Sequence, residues 1–122
     1  MLAKIIEKEL KQISKSSIEL ISIKINKKNP LDKIDLDCKK EYLKNKSIVL
    51  IDDVLHTGRT LIYCVKHLLD MSPINFNTVV LVDRNHKKFP IKVDFKGISL
   101  STSMSEHVDV VFEKNESYVV ID

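Results

Sequence analysis

The stretch "IVLIDDVLHTGRTL", Ile48 to Leu61, constrains the fold more than any other part of the chain. Ser47 to Ile51 is a short run dominated by apolar residues, of the kind buried on both faces of a parallel sheet. Two adjacent aspartates, Asp52 and Asp53, leave its end, and one of the chain's two glycines, Gly58, follows. Leu61, Ile62, Val65, Leu68 and Leu69 then fall on one helical face, ended by Ser72-Pro73. Strand, loop and helix in that order predict an α/β unit. Sheets of this kind bind ligands beyond the carboxyl ends of their strands.

The rest of the chain agrees with that frame. Leu2, Ile5, Ile6, Leu10 and Ile13 mark a first amphipathic helix. "SIELISIKIN", Ser17 to Asn26, reads as a strand. Lys27 to Lys46 is polar and reads as a long loop with at most a short hairpin. "TVVLVDR", Thr78 to Arg84, is a second buried strand ending in charge. Val93–Leu100 and Val108–Phe112 follow as shorter strands, and "SYVVID" adds an edge strand. The expected fold is a doubly wound, mainly parallel α/β sheet in a single domain over residues 1–122. The expected site lies where Asp52, Asp53, Asp83 and Arg84 end their strands.

The loop has a definite chemical polarity. Adjacent carboxylates repel, so Asp52 and Asp53 are better served by hydroxyls or a cation than by each other. The helix start that follows has unpaired N–H groups and a dipole that favours an anion. Gly58 lets the backbone approach a phosphate closely. Thr57 and Thr60 add hydroxyls, and Arg59 adds positive charge. Such a unit offers acceptors to a diol at one end and donors to a phosphate at the other, the polarity of a ribose 5-phosphate. A Walker-type loop does not fit, because Gly-x-x-x-x-Gly-Lys is absent. A receiver-type acidic pair needs a separate phosphoacceptor aspartate and a later lysine, and has no use for Thr-Gly-Arg-Thr.

Charge and cysteine content limit the remaining classes. Residues 1–47 hold 12 lysines and 7 acidic residues, whereas residues 48–122 hold 8 basic and 10 acidic ones. The basic half can face phosphates, yet lysine outnumbers arginine 18 to 2. Base and phosphate clamps favour the arginine fork, so RNA binding is possible and not favoured. No apolar run has the length of a membrane span. Cys38 and Cys64 form no metal or redox spacing, which suits a reduced, cytoplasmic protein.

The stretch closely resembles the motif by which type I phosphoribosyltransferases bind 5-phosphoribosyl 1-pyrophosphate (PRPP). "LVDRNHKKFPIKVDFKGISLSTSMSEHVDV", Leu81 to Val110, is similar to the matching stretch of the PyrR group in that family. That group combines uracil phosphoribosyltransferase activity with attenuation of pyrimidine-operon mRNA. A related group of small bacterial phosphoribosyltransferases shares the frame. The resemblance implies that Asp52 and Asp53 hold the ribose hydroxyls, and that Thr57, Gly58, Arg59 and Thr60 hold the 5-phosphate. It places Phe95, Lys96 and Arg84 at the nucleobase. His56 stands where relatives have Asp or Tyr, and a histidine there suits acid–base work, which makes Asp52, Asp53 and His56 the candidate catalytic set.

The implied reaction transfers phosphoribosyl from PRPP to a nucleobase, uracil-type first, with Mg2+ carried on PRPP and no metal site of the chain's own. The alternatives are a nucleotide-sensing mRNA-binding regulator and an inactive remnant. A homo-oligomer is a possible state, and no membrane partner is expected. Against the family frame, the chain opens at the helix that follows the pyrophosphate loop. The resemblance therefore leads one to expect a sheet short of a central strand, and a mobile catalytic loop over Asn26–Lys40.

Overall fold

The computed structural model describes residues 1–122 except Lys27, Pro30, Asp32 and Met104. Three of these fall in the expected catalytic loop, and Met104 falls in the Thr-Ser-Met-Ser-Glu turn, so those parts of the two expectations lie outside the described residues.

The fold is built on a three-stranded parallel sheet, β3 (Ser47–Leu55), β4 (Asn75–Arg84) and β5 (Phe95–Leu100), in the order β3-β4-β5. Two helices, α1 (Leu2–Ile13) and α2 (Arg59–Leu69), both contact β3. The α/β class and the mainly parallel sheet are as the sequence predicts. Parallel neighbours need a crossover connection, and α2 supplies the one from β3 to β4. Its apolar face, Leu61, Cys64 and Leu68, is buried against Leu50 and Leu55 of β3 and Val80 of β4. Each fully buried aliphatic side chain of this kind contributes roughly 1.5–3 kcal/mol. A separate antiparallel hairpin, β6 (Val108–Phe112) with β7 (Ser117–Ile121), completes the described chain.

Both buried strands outrun their predicted limits. β3 extends past Ile51 through Asp52 and Asp53 to Leu55, paired in register Asp52↔Val80 and Leu55↔Asp83. β4 begins at Asn75 rather than Thr78. Ladder pairing with a buried neighbour holds polar residues extended that local propensity alone leaves undecided.

The strand expected over "SIELISIKIN" shrinks to β1 (Ile23–Lys24), paired antiparallel with β2 (Asp35–Leu36). Ile21, Ile23 and Ile25 do pack against the core. Backbone pairing is what limits the strand. Among the described residues its ladder partners are Asp35 and Leu36, with one further bond from Asp37 N–H to Ser22 O at 3.1 Å. The rest of the run is tied by side chains instead, such as the Tyr42 hydroxyl donating to the Glu19 carboxylate. That bond favours the protonated phenol and pushes the Tyr42 hydroxyl above its ordinary range.

β4 and β5 are joined by residues 85–94, a parallel connection made without a helix. Asp94 closes it. Its carboxylate accepts from Thr78 N–H at 2.8 Å and from the Thr78 hydroxyl at 3.2 Å, while Asp94 N–H donates to Thr78 Oγ1 at 3.1 Å. At Gly97 the two strands come so close that an added Cβ would lie 2.6 Å from Leu81 O.

Candidate functional site

The carboxylates of Asp52 and Asp53 project from the last part of β3, and both residues are exposed. Asp53 N–H donates to Asp52 Oδ1 at 2.8 Å, which orients the first carboxylate and leaves the second as an outward acceptor. The chain then leaves the sheet after Leu55 and reaches α2 through His56, Thr57 and Gly58.

Gly58 is the N-cap of α2, with φ +86°. Its carbonyl accepts the first helical bond, from Ile62 N–H at 3.0 Å. Helix geometry leaves the N–H groups of the first turn without partners inside the helix. Two constraints require glycine here. The left-handed φ disfavours any side chain, and an added Cβ would lie 2.6 Å from Ile91 Cγ2.

The loop is also held from behind. Thr57 O accepts from Lys88 N–H at 2.9 Å and from Phe89 N–H at 3.1 Å. Thr57 Oγ1 accepts from Arg59 N–H at 3.3 Å. The helix start thus sits on the connection 85–94 and borders an open cleft.

That cleft, about 260 Å³, is lined by every residue from Asp52 to Leu61 and by Val108, Asp109 and Val110. The structure therefore brings together Asp52, Asp53, His56, Thr57, Gly58, Arg59 and Thr60. The wall from β6 is what sequence reasoning missed. Val108 to Val110 look like ordinary core strand, and nothing in their pattern marks them as lining a site.

The three residues assigned to the base do not line the cleft. Phe95 opens β5 with its ring 62% exposed. Lys96 reaches Asp83, Nζ to Oδ2 at 3.4 Å, and Lys87 Nζ lies 3.0 Å from Asp83 Oδ1. Arg84 is 8% exposed and already committed. Its Nε donates to Thr102 Oγ1 at 2.8 Å, and Nη2 donates to Ser103 O at 3.1 Å and Glu106 O at 2.8 Å. Its Nη1 lies 2.8 Å from His56 Nδ1. Arg84 thus clamps the end of β4 to Thr102, Ser103 and Glu106 and to the loop that begins at His56. One face of the His56 ring stacks on His107, ring centroids 5.8 Å apart.

Among the described residues no group of three or more His, Cys, Asp or Glu side chains is arranged to hold an ion. Two adjacent carboxylates, one of them bonded to its neighbour's N–H, supply too few ligands alone. They fit a cation that brings most of its oxygens with it.

The sequence pattern of the phosphoribosyl transferase domain matches residues 1–114. The chain belongs to that family. It is 40% identical over 88 residues to the bifunctional protein PyrR of Limosilactobacillus reuteri, covering 71% of this chain and 47% of the relative. Over 115 residues it is 36% identical to the PyrR protein of Pediococcus pentosaceus, covering 93% of this chain and 60% of that one. The chain thus spans about half the length of the curated relatives it matches. Its fold is similar to that of a hypoxanthine phosphoribosyltransferase from Staphylococcus aureus, with a TM-score of 0.66 at 19% identity over 84% of this chain and 58% of that one. The phosphoribosyltransferase fold is therefore that of solved members of the family. No helix among the described residues is long and apolar enough to cross a membrane.

Proposed function

We propose that this domain binds PRPP in the cleft at the end of β3 and serves phosphoribosyl transfer to a nucleobase of the uracil type. One observation carries the reading: an exposed carboxylate pair and a helix-start donor cluster line the same cleft. Asp52 and Asp53 would accept hydrogen bonds from the ribose hydroxyls. The N–H groups and hydroxyls of Thr57 to Thr60, with the Arg59 charge, would hold the 5-phosphate. Held at both ends, the ribose presents its anomeric carbon. A base nitrogen forms the new C–N bond there as the C–O bond to pyrophosphate breaks, the electron pair leaving with the pyrophosphate and the proton of the base nitrogen passing to water. A transition state of this charge-rich kind needs positioning and fixed dipoles more than a covalent nucleophile. Magnesium carried by PRPP would compensate the leaving-group charge.

The uracil preference rests on the likeness to PyrR proteins, and Phe95 and Lys96 are the base-side residues of this reading. Cys38 and Cys64 form no disulfide, which suits a reducing cytoplasm. The bifunctional relatives and the lysine-rich first half favour one second reading, a nucleotide-sensing role on RNA.

The test is thermal unfolding with and without PRPP and uridine monophosphate. Both ligands should raise the midpoint of the wild-type protein. The double substitution Asp52→Asn with Asp53→Asn should abolish protection by PRPP while leaving the unliganded midpoint nearly unchanged, because both side chains are exposed. Undiminished protection in that variant would remove the assignment.

A further inference from the structure

We propose that Arg84 is a positioning residue that fixes His56 as a hydrogen-bond donor, with its ring proton on Nε2, for an acceptor atom of the ligand in the cleft. A guanidinium acts only as a hydrogen-bond donor. All of its nitrogens carry hydrogens and none accepts. Arg84 Nη1 lies 2.8 Å from His56 Nδ1, so Nδ1 must be the acceptor and must be bare. A second positive charge on the ring would set N–H against N–H at that distance. The imidazole in this geometry is the neutral Nε2–H tautomer.

Arg84 has little freedom to release the ring. Thr102 Oγ1, Ser103 O and Glu106 O hold its other nitrogens, and the residue is buried. The His107 ring, stacked at 28° to His56, limits rotation from a second side. His107 is itself fixed by reciprocal backbone bonds with Asp122, both 2.9 Å. The ring is thus located by a buried charge on one edge and an aromatic face on another.

This arrangement changes the chemistry expected of His56. A general base needs a lone pair turned toward the substrate. Here the lone pair faces Arg84, and the proton sits on the other nitrogen of a ring that lines the cleft. His56 positions an acceptor of the ligand rather than removing a proton from it. The ligand half of the inference rests on the proposed PRPP site, whereas the tautomer half does not.

Two measurements separate them. Protein labelled with 15N in histidine is observed without ligand by long-range 1H–15N correlation. His56 should show a bare, pyridine-like Nδ1 and a protonated Nε2. Arg84→Met, similar in length and without donors, should convert it to a mixture of tautomers. A wild-type ring protonated on Nδ1, or an unchanged pattern in Arg84→Met, overturns the inference. Should Arg84→Met fail to fold, the wild-type spectrum decides alone.

The second measurement is PRPP affinity in two amide variants. His56→Gln places an amide N–H near the position of Nε2 and should bind within about threefold of wild type. His56→Asn keeps an acceptor for Arg84 but loses the outer donor, and should bind roughly tenfold more weakly, the effect of one hydrogen bond. Equal losses in both variants overturn the donor role. If neither PRPP nor uridine monophosphate protects the wild-type protein, the proposed function fails and the spectrum still judges the Arg84–His56 pair.

Discussion

Gly58→Ala should destabilise the protein by roughly 2–5 kcal/mol, with two separable causes. The first is conformational. Gly58 has φ +86°, where a side chain costs about 1–2 kcal/mol. The second is steric. The new Cβ would fall 2.6 Å from Ile91 Cγ2 and 3.5 Å from Phe89 O, and overpacking of this kind costs about 1–3 kcal/mol. Neighbouring sites that share a contact are not additive. Ile91→Ala removes Cγ2 and opens that space, so Gly58→Ala should cost less in the Ile91→Ala background, by the steric part. The assay is urea unfolding of the four proteins in the cycle, comparing midpoints at equal slope. PRPP protection should fall with Gly58→Ala as well, because Thr57 and Arg59 flank the altered residue. Strict additivity in the cycle would refute the contact, and a Gly58→Ala protein as stable as wild type would refute both causes.

Asp94→Asn should flatten the acid limb of the stability curve. The Thr78 N–H bond, helped by the Thr78 hydroxyl against a partial desolvation, holds the Asp94 carboxyl below its ordinary value of 3.8. A depressed folded value means that the contribution is present above about pH 4 and lost as pH falls through the folded value. Denaturant midpoints from pH 6 to pH 2 check this, and an unchanged acid limb in Asp94→Asn counts against it. For RNA, any affinity should fall steeply with salt, with a log–log slope of about −0.7 per phosphate neutralised on single strands, and should track lysines in residues 1–47. A pyrimidine-leader RNA is expected to bind no better than an unrelated RNA at physiological salt, and clear preference for the leader would restore the regulatory reading.

The site was legible in the sequence because three signals coincide there. An apolar run predicts a buried strand, two acids stand in its last part, and a scarce glycine precedes a helical period. These need only local chemistry and periodicity. Arg84 shows the limit of that kind of reading. A charged residue at a strand end looks exposed, and only the fold reveals Thr102, two carbonyls and His56 around it. The strand over Ser17–Asn26 failed for a related reason. Its β-branched side chains report burial, and Ile21, Ile23 and Ile25 do pack on the core, but ladder length depends on a partner that propensity does not encode. The grip on Thr57 O had no signal at all, since it is made by backbone N–H groups that every residue but proline carries.

These missed features share an origin at the exit of β4. Three consecutive residues of the ligand loop are each held from that exit by a different means. Arg84 holds His56 through its side chain, Lys88 and Phe89 hold Thr57 through backbone N–H groups, and Ile91 with Phe89 packs against Gly58. This accounts for the unusual route of the chain between β4 and β5. A crossover helix through residues 85–94 would direct the N–H groups of its interior to its own carbonyls. Lys88 and Phe89 would then have nothing to offer Thr57. A connection without a helix keeps those donors available, and it lays Ile91 where Gly58 alone can meet it. The Thr78–Asp94 bonds then return the chain to the sheet in register. The loop that lines the cleft is thus held by the exit of the neighbouring strand as well as by its own residues.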